Sequence, residues 1–166
     1  MKSIEAFDYF LPTRIIFGCG TIGRVGQYSR RLGKKALIVT GRHSTKKTGL
    51  LDKVIGLLKE EGISSVVFDE IVPNPLSTSV DRGALLAVED SCDFIIGLGG
   101  GSPIDSSKLI ALVAKDGGKC WDYTGVGGGR KPKAALPVIA IPTTHGTGTE
   151  ADPFAVVTNP ETNEKI

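Results

Sequence analysis

Two segments of the chain carry residue types and spacings that could do chemistry. The first is Asp93-Phe-Ile-Ile-Gly-Leu-Gly-Gly-Gly-Ser-Pro-Ile-Asp105, an apolar strand that runs directly into three glycines and a helix start. Gly99, Gly100 and Gly101 lack Cβ atoms, so the backbone there can turn tightly and approach a ligand closely. Ser102 is a suitable N-cap, Pro103 suits the first helical position, and Asp105 stands three residues after Ser102, as in a capping box. A helix start after a glycine turn offers unpaired N–H groups and the positive end of a dipole, which suits a pyrophosphate. The same residues could also make a tight strand-to-helix turn with no ligand. The second segment is Ile141-Pro-Thr-Thr-His-Gly-Thr-Gly-Thr-Glu150, with hydroxyls at Thr143, Thr144, Thr147 and Thr149. These either hold the far side of the same ligand or satisfy backbone groups of their own loop. Other catalytic patterns are missing: His43 and His145 stand about a hundred residues apart, with no HxxxH or HExxH spacing and no Ser-His-Asp or Cys-His constellation. His145 either faces the site or points to solvent.

Elements must position these segments, and their pattern is that of an α/β protein. Short apolar runs at 14–17, 35–40, 64–68, 94–98, 138–141 and 154–158 predict strands, and amphipathic stretches at 21–32, 50–61, 77–90 and 103–115 predict helices between them. Alternation of this kind builds a parallel sheet, and the carboxyl ends of its strands are where ligands bind. Gly62 ends the second helix, and Pro73-Asn74-Pro75 introduces the third, with Ser77 or Ser79 as its cap. Residues 116–137 read as a long glycine-rich surface loop in which Trp121 anchors packing, and 154–166 as the start of a hairpin.

Composition narrows the function classes. Among 166 residues, 20 Lys plus Arg against 18 Asp plus Glu give a charge of +2 with no block of either sign, arguing against a nucleic-acid partner. No apolar stretch approaches the roughly 20 residues of a membrane span, and no secretory signal is evident, so a cytoplasmic location is expected. Three cysteines are too few and too scattered for a disulfide framework or a metal knuckle. The 22 glycines are roughly twice the usual ~7%, and they cluster at the segments described.

With Phe10-Leu-Pro-Thr-Arg-Ile-Ile-Phe-Gly18, Pro73-Asn74-Pro75, the Gly-Gly-Gly-Ser-Pro-x-Asp-x-x-Lys run from Gly99 to Lys108 and Pro142-Thr-Thr-x-Gly-Thr-Gly-x-Glu150 in this order, the sequence resembles the iron-containing, group III alcohol dehydrogenases. The resemblance implies a Rossmann-like domain over residues 1–166, with helices on both faces of a parallel sheet, that binds NAD or NADP. It also implies a further helical domain, after residue 166, in which an Asp and three His hold iron or another divalent metal. Hydride transfer to or from a small alcohol or aldehyde would then need both domains, so this chain alone is expected to bind the dinucleotide without turning substrate over. No catalytic residue and no metal ligand is assigned within it.

Position by position, the resemblance places Gly99, Gly100, Gly101 and Ser102 at the pyrophosphate, with Asp105 and Lys108 on the helix that follows. It brings Asn74 to the cofactor, Thr143, Thr144, Thr147 and Asp152 to the nicotinamide side, and Lys165 to a ribose. Asp152 departs from the family, many members of which have Thr there. Lys108 is read equally as a functional residue or as a solvated helical lysine. After the strand at 35–40, NAD-preferring members carry an Asp for the ribose 2′-OH, whereas this chain has Gly41, Arg42, His43, Ser44 and Thr45. An acid would repel a 2′-phosphate; Gly41 with Arg42 and Ser44 could accept one, which points to NADP. The family also suggests a homodimer paired through residues 14–17. Two further readings stand beside this one: a polyol dehydrogenase or dehydroquinate-synthase-like cofactor domain, and a non-catalytic dinucleotide-binding module.

Overall fold

The computed structural model describes residues 10–166. Four strands, β1 (Lys35–Gly41), β2 (Ser64–Ile71), β3 (Phe94–Gly99) and β4 (Val138–Pro142), form one parallel sheet in the order β2-β1-β3-β4. The helices are α1 (Val25–Ser29), α2 (Ser44–Lys47), α3 (Leu50–Glu60), α4 (Ser77–Glu89) and α5 (Gly101–Asp116). Side chains of the central strands alternate between faces, as the period of two requires. Leu37, Val39 and Ile95 pack with Val80 and Ala84 of α4 and Ile110 of α5. Ala36, Ile38, Phe94, Ile96 and Leu98 pack on the other face with Val25 of α1 and Leu51, Val54 and Leu58 of α3. A Rossmann-like α/β layer structure results, with the core on both sides of β1 and β3.

Local sequence explains several boundaries. Helix α3 ends in a Schellman motif: Gly62, at φ +70°, donates to the Lys59 carbonyl at 3.0 Å, and Ile63 donates to that of Leu58 at 3.0 Å. Helix α5 sits close on β3 because Gly97 faces it; a Cβ there would lie 2.6 Å from Ser107 Oγ and 3.2 Å from Ile104 Cα. The hairpin expected at the C-terminal end is present, with Val157 and Ile166 exchanging backbone bonds of 2.8 and 3.0 Å.

Other expectations are corrected. Residues 14–17 form no strand: among the described residues no strand pairs with them, and Ile15 and Phe17 are exposed. The helix expected over 21–32 breaks into a 3-10 turn, Thr21–Arg24, and the short α1. Neither Ser77 nor Ser79 caps α4; Leu76 holds the N-cap position, and the Ser77 N–H is bonded to the Thr158 carbonyl at 2.9 Å. Thr158 also bridges Lys165, so 154–158 contributes isolated bridges in place of a sheet strand. The 116–137 connection contains a 3-10 turn, Cys120–Tyr123, tied to α4 by the Cys120 N–H donating to Asp81 Oδ1 at 2.7 Å, with Trp121 packed on the core. No helix among the described residues is long and apolar enough to cross a membrane.

Candidate functional site

Register aligns the strand ends: Thr40 lies opposite Leu98, and Gly99 opposite Pro142, so β1, β3 and β4 release their chains at one end of the sheet. From there β3 turns at Gly99, whose φ of +147° disfavours any side chain, and Gly100 takes the N-cap position of α5. Helix α5 begins two residues earlier than the capping pattern implies. Ser102 therefore lies inside its first turn, no side chain caps the helix, and Asp105 makes no capping box. The reason is that Asp105 is turned inward. Its Oδ1 accepts from the Thr149 hydroxyl and its Oδ2 from the Val156 N–H at 3.1 Å. The N–H groups of Gly101 and Ser102 belong to the first turn and have no acceptor within the helix.

The threonine loop closes over this turn. The Thr143 N–H donates to the Gly99 carbonyl at 2.8 Å, which fixes the exit of β4 beside that of β3. A Cβ on Gly100 would lie 3.3 Å from Thr144 Oγ1, and one on Gly101 would lie 3.2 Å from Thr147 Cγ2. The glycines thus form a cradle that side chains would fill. Thr143, Thr144 and Thr147 are exposed, while Thr149 is buried against Asp105.

A cavity of about 300 Å³ opens at this end of the sheet, and Asn74, Gly101, Ser102, Asp105, Thr147, Asp152 and Lys165 all line it. Asn74, at φ +57°, reaches it from the β2–α4 connection, and its Oδ1 accepts from Lys165 Nζ at 2.7 Å. Gly99, Gly100, Thr143 and Thr144 form the adjoining turn. Gly41, Arg42 and Ser44 do not line this cavity; Gly41 ends β1, and Arg42 and Ser44 follow it, exposed. Thr45, beside them, is buried with its hydroxyl 2.8 Å from that of Thr40, so Ser44 is the hydroxyl open to solvent there. Below them the Lys46 ammonium bonded to Asp69 lowers that carboxyl from its ordinary range, and Arg42 adds to the effect. His43 and His145 are exposed and line no part of the cavity.

Thr149, one of the hydroxyls that the threonine run offers, lines the cavity, and so do Phe154 and Val156. For Phe154 and Val156 the sequence carries no signal, because they are drawn in by backbone bonds to Asp152 and Asp105. Lys108 is not a solvated lysine: its ammonium donates to Thr149 Oγ1 at 2.8 Å, to Asp152 Oδ1 at 2.9 Å and to the Phe154 carbonyl.

A glycine cradle at a helix start, at the carboxyl edge of a parallel sheet, is shared by many nucleotide-binding proteins, and comparison with known proteins decides among them. The family described as iron-containing alcohol dehydrogenase matches residues 12–166. The chain belongs to the iron-containing alcohol dehydrogenase family. Relatives in the family include NADH-dependent butanol dehydrogenase A of Clostridium acetobutylicum, 38% identical over 161 residues, covering 97% of this chain and 41% of the relative. The probable NADH-dependent butanol dehydrogenase 2 of Bacillus subtilis is 41% identical over 165 residues, covering 98% of this chain and 41% of that protein. Among solved structures, NADH-dependent butanol dehydrogenase A from Thermotoga maritima superposes with a TM-score of 0.91 at 36% identity, over 97% of this chain and 40% of that one. Sulfoacetaldehyde reductase from Bifidobacterium kashiwanohense, solved in complex with NAD+, gives 0.86 at 31% identity, over 97% of this chain and 42% of that one. The chain thus spans about two fifths of the length of these iron-containing alcohol dehydrogenases.

Proposed function

We propose that this chain is the NAD(P)-binding part of an iron-type alcohol dehydrogenase and that the cavity at the ends of β3 and β4 takes the dinucleotide. The observation that carries the reading is the glycine cradle: Gly100 and Gly101 stand within 3.3 Å, at Cβ, of Thr144 and Thr147, and no side chain caps the N–H groups of the first helical turn. An anion fits that donor set. In this reading Gly101 and Ser102 donate to the pyrophosphate, Asn74 and Lys165 bind the sugar side, and Thr143, Thr144, Thr147 and Asp152 orient the nicotinamide end. The bound cofactor supplies hydride exchange with a small alcohol or aldehyde; the protein residues named here bind and orient it.

Specificity is assigned to the end of β1. Gly41 carries no acid to repel a 2′-phosphate, and Arg42 and Ser44 are exposed beside it, so NADP(H) is the preferred form. The relatives' names carry NADH, which makes Gly41 and Arg42 the positions that would set this chain apart. Among the described residues no group of three or more His, Cys, Asp or Glu side chains could hold a metal ion. These residues accordingly serve cofactor binding, and the family's metal would be held by a further helical domain. A cytoplasmic location and a homodimer paired through residues 14–17 belong to the same proposal, the dimer being testable by sedimentation.

The test is a paired fluorescence titration with NADPH and NADH. Saturable binding, tighter for NADPH, with no alcohol-dependent reduction of NADP by this chain alone, is the expected result. A folded chain that binds neither dinucleotide overturns the reading.

A further inference from the structure

The geometry points to Lys108 as a positioning residue that builds one wall of the cavity and neutralises its carboxylates without touching the ligand; this rests on the dinucleotide reading above. Helix α5 places Asp105 and Lys108 three residues apart, on a face turned toward the 149–156 segment. Their side chains are only 13% and 19% exposed. A lysine ammonium has three N–H donors, and Lys108 uses them on Thr149, Asp152 and the Phe154 carbonyl. All three acceptors line the cavity, whereas Lys108 does not and reaches them from behind. Thr149 then passes the connection on by donating to Asp105, and Asp152 accepts the Phe154 N–H at 2.9 Å. One helical side chain thus fixes a loop that, among the described residues, is otherwise hydrogen-bonded to α5 only through Asp105.

Charge gives the arrangement its second role. The ionisable side chains lining the cavity are Asp105, Asp152 and Lys165. Taken alone they carry a net negative charge, which opposes a pyrophosphate. Lys108, 2.9 Å from Asp152 and 3.8 Å from Asp105, brings the set to neutrality. A lysine that only stabilised α5 would have no reason to be spent on acceptors of another segment.

Four variants of the full chain test this: K108M, K108R, D152N and K108M/D152N. Without cofactor, amide hydrogen exchange in K108M is expected to accelerate at Phe154 and Val156 while β1 and β3 keep their protection, and K108R to restore much of the difference. In NADPH titrations K108M should bind roughly ten- to a hundredfold more weakly, the range for lost hydrogen bonds to charged groups. The deficit should shrink as salt rises, because repulsion is screened. Adding D152N to K108M should recover a large part of it. Unchanged exchange at Phe154 and Val156 in K108M overturns the positioning role. Equally weak binding by K108M and K108M/D152N overturns the charge role. A wild-type chain that fails to bind NADPH would count against the dinucleotide reading, and the exchange data would still decide the clamp.

Discussion

Replacing Gly97 by alanine is expected to lift α5 off β3 and disturb the glycine turn two residues later. Alternate residues of β3 face α5, so Gly97 and Gly99 both lie beneath it; their added Cβ atoms would come within 2.6 Å of Ser107 Oγ and 2.8 Å of Pro103 Cγ. At Gly97 the obstruction cannot rotate away. Ser107 Oγ is held by donating to the Pro103 carbonyl at 2.6 Å, and the next neighbours are Ser107 Cβ at 3.1 Å and Ile104 Cα, which is helix backbone, at 3.2 Å. Relief requires several tenths of an ångström of helix movement, and overpacking of this kind costs about 1–3 kcal/mol. For a domain of this size that is a fall of roughly 2–12 °C in Tm. Urea denaturation gives the free energy, and a cycle with Ser107→Ala tests its cause. Removing Oγ costs about 1 kcal/mol through the lost hydrogen bond but clears the closest contact. The double variant should therefore be more stable than the sum of the two single effects predicts. NADPH affinity should fall in Gly97→Ala and partly return in the double variant. Additivity of the two substitutions within about 0.5 kcal/mol would refute the reasoning, as would a Gly97→Ala chain as stable as wild type.

Gly41→Asp should fold normally, since a Cβ at Gly41 meets only the Ile71 carbonyl, at 3.5 Å; it should shift the ratio of NADPH to NADH dissociation constants toward NADH by roughly tenfold or more, measured by titration. Burial, followed by the nearby Asp81 and Asp122, pushes the Cys120 thiol up to about 12, and burial also raises that of Cys92, whereas Cys19 is exposed. At neutral pH a thiol reagent should therefore modify Cys19 rapidly and the other two only on unfolding. Because the folded value of Cys120 lies above the ordinary 9.0, its contribution to stability is complete below pH 9 and is lost as pH rises toward about 12. Urea midpoints should decline over that window, less steeply in Cys120→Ala. Ser91 closes α4 at φ +51°, with its N–H on the Val88 carbonyl at 3.0 Å and the Cys92 N–H on that of Ala87 at 2.8 Å. Ser91→Gly should keep both bonds, relieve the left-handed conformation and raise stability by up to about 1 kcal/mol, read from the urea midpoint.

The parallel α/β architecture is legible in the sequence because β1 and β3 are buried on both faces and are written as unbroken apolar runs, Ala36–Val39 and Phe94–Ile96. Helix α3 is equally plain, with its apolar stripe and Gly62. Residues 14–17 mislead because β-branched and aromatic residues predict a strand only where a partner lies alongside, and sequence does not supply the partner. Of the residues lining the cavity, Gly101, Ser102, Thr147 and the Pro-framed Asn74 are legible from types and order. The capping reading of Ser102 and Asp105 fails for one physical reason. An Asp three residues after a Ser can serve the helix N-terminus or a tertiary partner, and here Thr149 and Val156 claim it. That choice depends on residues more than 40 positions away, as does the clamp by Lys108, so neither is written in local spacing.

The most direct test of the glycine cradle as a dinucleotide site is an NMR titration of the chain with NADPH, following backbone amides. The largest shifts should fall at Gly100, Gly101 and Ser102, followed by Thr144, Thr147 and Asn74, and Gly101→Val should abolish them, because its side chain would occupy the space beside Thr147. Shifts centred elsewhere on the chain, or saturation undisturbed by Gly101→Val, would contradict the assignment.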